Sequence, residues 1–147
     1  MGSYGEKKPE KRLKFKTAFI SDLEKEEIKY KDVDERCVRI SYTADNTDDI
    51  TINVIFDEDD EGLVAFKCWS FGKVPAKKRD KVLECCNDLN AEYRWVKFFI
   101  DGDDDVTADS DAIVDLDTVG SECIQMVRRM VNIIDEAYPR VMKAFWG

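Results

Sequence analysis

The densest group of side chains able to do chemistry is acidic. Asp101, Asp103, Asp104 and Asp105 surround Gly102, and Asp109, Asp111, Asp115 and Asp117 continue the series with no basic residue between. Oxygen-rich loops of this kind suit hard divalent cations, which take carboxylate and carbonyl ligands. Set against the twelve-position calcium loop, Asp101, Asp103 and Asp105 fill the first three odd positions. Val106 stands where the turn glycine belongs, however, and Ala112 where the closing glutamate belongs, so the pattern fails. The segment reads as a hairpin tip with solvated carboxylates. A small-ligand or divalent-cation sensor using the acidic 101–111 hairpin, with Asp101, Asp103 and Asp105 as ligands, is the alternative reading of function. The run 57–61 reads as a second charged tip, which also discourages edge-to-edge pairing of the flanking strands.

No histidine occurs, which excludes Ser-His-Asp and Cys-His nucleophile arrangements and every His-ligated metal site. The carboxylate clusters sit at turns, where water screens them and no poised acid–base pair forms. Neither GxGxxG nor GxxxxGK[ST] occurs, so the standard nucleotide-binding loops are absent. The five cysteines, Cys37, Cys68, Cys85, Cys86 and Cys123, are odd in number and contain no CxxC pair. They read as free thiols used as small hydrophobes in a reducing compartment. With no secretory leader pattern and no apolar run of membrane-spanning length, the expected location is cytoplasmic, without membrane contact. The expectation is a non-enzymatic protein with no catalytic residues and no cofactor.

Aromatic and Met side chains are the more telling group. Trp69, Phe71, Trp95, Phe98, Phe99, Tyr138, Met142, Phe145 and Trp146 crowd the third strand, the fourth strand and the closing helix. Strand alternation cannot bury both Phe98 and Phe99 on one face, nor can one helical stripe bury both Phe145 and Trp146. Some of these rings must therefore form a second surface, and exposed apolar surface of this composition marks a protein interface. The candidate partner-binding residues are Trp69, Phe71, Phe99, Tyr138, Met142, Phe145 and Trp146. Phe145 and Trp146 in sequence also lead to the expectation of a homodimer formed through the closing helix.

The elements that must position these groups follow from periodicity. Phe15, Phe19, Leu23 and Ile28 recur at roughly helical spacing. Val38, Ile40 and Tyr42, then Ile50, Ile52, Val54 and Phe56, alternate with period two, and a third strand-like run covers 63–74. Pro75 opens a second helix carrying Val82, Cys86, Leu89 and Tyr93 on one face. Residues 95–100 and 106–116 read as a second hairpin turning at Asp101-Gly102. Cys123, Met126, Val127, Met130, Ile133, Ile134, Ala137, Tyr138, Val141, Met142 and Phe145 trace a closing helix, which Pro139 is expected to bend or interrupt. The order α-β-β-β-α-β-β-α gives an α+β fold, an antiparallel sheet with packed helices.

The 147 residues carry 23 basic and 32 acidic side chains, a net charge of −9, which disfavours nucleic acid and anionic membranes as partners. A hydrophobic share of 44% supplies a core, and 7 Gly with 3 Pro leave no room for low-complexity linkers. The exception to the acidic balance is the leading segment, where Lys7, Lys8, Lys11, Arg12, Lys14 and Lys16 oppose Glu6 and Glu10. The expected organisation is a flexible basic leader over 1–14 and one domain over 15–147.

The stretch Val74-Pro75-Ala76-Lys77-Lys78-Arg79, followed by Val82-Leu83, Asn87, Leu89-Asn90 and then Lys97-Phe98, resembles the signature of the bacterial YbjN family, also called the sensory transduction regulator family. Asp135, Tyr138 and Pro139 in the closing helix are similar too, and the resemblance runs from about Thr17 onward. It implies a fold like that of type III secretion chaperones, with the element order already read from periodicity. It implies no catalytic residue and no cofactor, but binding of a protein or peptide partner and self-association. Arg79, Asn87 and Asn90 match motif positions. Asn90 is expected to cap the end of the middle helix and Asn87 to bond locally to backbone.

Overall fold

The computed structural model describes residues 2–57 and 62–147, with side chains described for 14–57 and 62–147. Helix α1 (Gly2–Lys25) leads to β1 (Lys31–Asp32), β2 (Cys37–Thr43), β3 (Asp49–Phe56) and β4 (Leu63–Cys68). A single 3₁₀ turn (Ala76–Lys78) opens α2 (Arg79–Glu92), and β5 (Lys97–Ile100), β6 (Val106–Ile113) and α3 (Val119–Trp146) complete the chain. The strands form one antiparallel sheet in the order β1-β2-β3-β4-β6-β5. The fold is α+β, with the expected element order and one added edge strand. Apart from Lys14, the leader over 1–14 falls on residues whose side chains are not described, and the acidic run 58–61 lies outside the described residues.

One face of the sheet is the core. Val38, Ile40, Ile50, Ile52, Val54, Phe56, Val64, Phe66, Cys68, Phe98, Val106 and Ala108 alternate onto it and are all buried. Helix α3 lies across this face with Val119, Cys123, Val127, Met130, Ile134, Ala137, Val141 and Phe145 turned inward at intervals of three and four residues. Phe19 and Leu23 bring α1 against α3 and the sheet, and Val82, Cys86 and Leu89 bring in α2.

The added strand β1 is too short to carry a period of its own. Lys16 holds it in place: its ammonium, almost fully buried, meets the Asp32 carboxylate at 2.5 Å and donates to the Asp34 carbonyl at 2.6 Å. Strand β4 stops at Cys68, short of the expected 74, because the chain turns through Gly72 at φ +88°. At the other end of β4, Gly62 takes φ +81°, and a side chain there would overlap the Val114 carbonyl oxygen.

Pro139 does not interrupt α3. It has no N–H to give to the Asp135 carbonyl one turn back. The side-chain Nδ2 of Asn46 donates to that carbonyl instead, at 3.1 Å. The Asp135 carboxylate accepts from the backbone N–H of Asn46 at 2.8 Å and of Asp45 at 3.2 Å. The freed helix group thus becomes the point where the β2–β3 turn fastens to α3.

Candidate functional site

The second face of the sheet carries Arg39, Ser41 and Thr43 of β2, Thr51, Asn53 and Ile55 of β3, Lys67 of β4, Asp109 and Asp111 of β6, and Lys97 and Phe99 of β5. Pairing registers align Arg39, Asn53, Lys67, Asp109 and Lys97 in one row across five strands. Their side chains lock together. Arg39 Nε donates to Asn53 Oδ1 at 2.9 Å, and Asn53 Nδ2 donates to the Lys67 carbonyl at 3.5 Å. Lys67 Nζ donates to Asp109 Oδ2 at 3.3 Å, while Lys97 Nζ lies 3.8 Å from the other carboxylate oxygen and 5.2 Å from the Phe99 ring centroid. Asp109 is buried between two ammonium groups, so its charge is compensated where it stands.

Trp69, the first residue after β4, is 46% exposed and walls an open groove of about 520 Å³ on this face. Arg36, Cys37, Arg39, Asn53 and Ile55 complete the groove's centre. Among the described residues Arg39 has no carboxylate partner, which leaves guanidinium donors beside an exposed indole. Asp34 at the rim has its carboxyl held below the usual range, first by the backbone N–H of Arg36 and also by that of Cys37. Burial pushes the Cys37 thiol above its ordinary value, which disfavours its reactive thiolate form.

A second groove, of about 630 Å³, lies where α3 ends beside the start of α2. Lys73, Val74, Pro75, Ala76, Arg79, Asp104 and Trp146 line it. Arg79 bonds Asp104 at 3.1 Å, Lys73 donates to the Asp103 carbonyl at 2.6 Å, and the Val74 N–H donates to the Asp104 carbonyl at 2.8 Å.

The candidate partner-binding residues divide among three places. Trp69 and the half-buried Phe99 lie on the open sheet face. Phe71 is buried, stacks on Tyr138 at 5.7 Å and meets Phe98 edge-on at 6.0 Å; it and Tyr138 tie the post-β4 turn to α3. Met142 is half-buried one turn further along α3. Phe145 is 2% exposed and belongs to the protomer's own core, whereas Trp146 beside it is 72% exposed. The helical stripe explains the split, since Phe145 continues the inward series from Val141 and Trp146 is turned 100° away.

In the acidic hairpin, Asp101 Oδ1 accepts from the N–H of Asp103 at 2.9 Å and of Asp105 at 3.1 Å, and Oδ2 accepts from the Thr107 hydroxyl at 2.6 Å. Both oxygens therefore shape the turn itself. Among the described residues no group of three Cys, Asp or Glu side chains is placed to hold a metal ion. No described helix is long and apolar enough to cross a membrane.

Asn90 does not cap α2, whose last turn is closed by the Tyr93 N–H on the Leu89 carbonyl. Its amide instead faces the backbone of Phe98 on β5. Sequence reasoning missed the row from Arg39 to Lys97, because charged and polar residues at alternate strand positions look merely solvent-facing until the register aligns them. It also left Trp95 out of the candidate surface, although that ring is 59% exposed with Arg129 stacked 5.2 Å from its centroid.

The family model YbjN, described as "Putative bacterial sensory transduction regulator", matches residues 23–142. Among solved structures, the crystal structure of YbjN from E. coli, described there as a putative transcription regulator, is similar at 14% identity and a TM-score of 0.56, covering 82% of this chain and 88% of that one. A chain of the heterodimeric ExoU–SpcU complex from the type III secretion system of Pseudomonas aeruginosa is similar at 16% identity and a TM-score of 0.53, covering 86% of this chain and 96% of that one. At such identities the likeness is one of fold. No curated protein matches the chain.

Proposed function

The chain belongs to the YbjN family, and from that membership we propose that it is a non-enzymatic protein- or peptide-binding module of chaperone-like fold, whose open sheet face receives the partner. The observation that carries this reading is the exposed Trp69 ring beside the Arg39 guanidinium in the sheet-face groove. Helices consume one face of the sheet, while the other offers a large apolar anchor and charged donors held rigid by neighbours. A large aromatic anchor at the wall of a groove is the pattern of an interface hot spot. The likeness in fold to a chain found in a heterodimeric complex supports a protein partner. Five free cysteines support a reducing, cytoplasmic location. Of the two rings expected to carry self-association through the closing helix, Phe145 serves the protomer's own core and Trp146 lines a groove with Val74, Pro75 and Ala76.

Selection from a displayed peptide library against the immobilised full chain tests the proposal. Enriched peptides should bind the wild type and lose about tenfold in affinity with Trp69→Ala. A library that yields no binder, or binders indifferent to Trp69→Ala, would count against it.

A further inference from the structure

We infer a second interaction surface, at the groove between the start of α2 and the end of α3, which fits an acidic segment of a partner protein carrying an apolar side chain. Between positions 73 and 81 the chain sets five cations, Lys73, Lys77, Lys78, Arg79 and Lys81, against one carboxylate, Asp80. In a protein of net charge −9 this stretch is basic along the chain, and in space the acidic 101–105 hairpin lies against it and engages two of its cations, Lys73 through the Asp103 carbonyl and Arg79 through the Asp104 carboxylate. Among the described residues, Arg79 pairs with Asp104, while Lys77, Lys78 and Lys81 have no carboxylate partner. They stand at the amino end of α2, where the helix dipole is already positive and no side chain caps the first turn. Cations there add to an unfavourable potential that an anionic partner relieves.

The groove supplies the other half of the recognition. Val74, Pro75 and Ala76 give it an apolar floor, and the 72% exposed Trp146 ring stands over it, braced edge-on by the buried Phe145 at 6.1 Å. An exposed indole above an apolar floor takes an aliphatic or aromatic side chain, while Lys77 and Lys78, which lie in the chain between the lining residues Ala76 and Arg79, take carboxylates. A peptide fits this better than a nucleic acid. The screening length at physiological salt is about 8 Å, so a short acidic segment feels the local cations, whereas a long polyanion also meets the acidic body.

The test uses the full chain and three labelled probes: a peptide of repeating Glu-Glu-Leu, its Lys-Lys-Leu counterpart and oligo(dT). In fluorescence anisotropy the acidic peptide should bind at least about tenfold tighter than either other probe, and more weakly as salt rises. Its affinity should fall about tenfold in Trp146→Ala and again when Lys77→Glu and Lys78→Glu are combined. Trp146→Ala reads the groove without touching α2, should the charge reversal disturb that helix. Trp69→Ala should leave the acidic probe unaffected, so failure of this surface and failure of the sheet-face reading are separable. The inference is overturned by an acidic probe that does not saturate, by tighter binding of oligo(dT), or by variants that leave the affinity unchanged. A shift from dimer to monomer on Trp146→Ala also overturns it, because a second copy would then be the occupant.

Discussion

The side-chain amide of Asn90 acts as a neighbouring strand for Phe98: Oδ1 accepts from the Phe98 N–H at 2.7 Å, and Nδ2 donates to the Phe98 carbonyl at 3.0 Å. One asparagine on α2 thus closes part of the outer edge of β5, which would otherwise present unpaired backbone to another chain. Asn90→Leu removes both bonds and should cost about 1–3 kcal/mol in urea unfolding. Asn87→Ala, three residues earlier on the exposed side of α2, should stay within about 0.5 kcal/mol. Equal losses at the two positions would show that the amide pairing does not hold the edge.

Phe145 and Trp146 are adjacent yet should behave as unlike residues. Phe145→Ala opens a cavity under α3 and should cost about 3–5 kcal/mol. Trp146→Ala removes a ring that is 72% exposed and should change stability by no more than about 0.5 kcal/mol. Thermal or urea unfolding of both variants decides it, with sedimentation equilibrium run alongside. A Phe145→Ala chain of full stability that merely dissociates would return that ring to a dimer interface.

The acidic hairpin should show its structural role through pH. The Thr107 hydroxyl, and less so the N–H groups of Asp105 and Asp103, hold the Asp101 carboxyl below its ordinary value of 3.8. A depressed folded pKa stabilises the fold above the unfolded value, and the contribution is lost as pH falls through the folded value. Thr107→Val should therefore be most costly near neutral pH, with the difference from wild type narrowing only as pH falls below the ordinary carboxyl value of 3.8. A difference that is flat with pH would contradict the assignment. Calorimetry should find no micromolar calcium site; one that disappears in Asp103→Asn with Asp105→Asn would restore the sensor reading.

Thiol reactivity should follow burial. Burial lifts the Cys123 thiol to about 12 and the Cys86 thiol to about 11, and raises Cys68 as well. Cys85, half-buried on the other side of α2, is the accessible member of the adjacent pair. Under native alkylation followed by mass spectrometry, Cys85 should react before Cys68, Cys86 and Cys123. Uniform rapid labelling of all four would mean that the core around them opens readily.

Much of the fold was legible because its signals are local. Val38 to Tyr42 and Ile50 to Phe56 alternate with period two, and the α3 stripe from Val119 to Phe145 repeats every three or four residues, so both appear in any short window. What escaped depends on contacts distant in sequence. The two residues of β1 are a strand because Lys16 reaches Asp32 from α1. Pro139 leaves α3 continuous because Asn46 takes over the freed Asp135 carbonyl. The polar row on the open face exists only once β4 pairs with β6, bringing Lys67 opposite Asp109. The family motif at Asn90 was visible as residues, but its chemistry lies in the strand it faces rather than in the helix that carries it.

The central claim is that the open sheet face receives a protein segment, and amide chemical-shift mapping with a peptide selected for binding tests it most directly. Saturable shifts should gather at Arg39, Asn53, Ile55, Lys67 and Trp69, with Val127, Met130 and Ile134 on the buried side of α3 unmoved. Shifts that gather on the helices instead, or that spread over the molecule without saturating, would contradict the account.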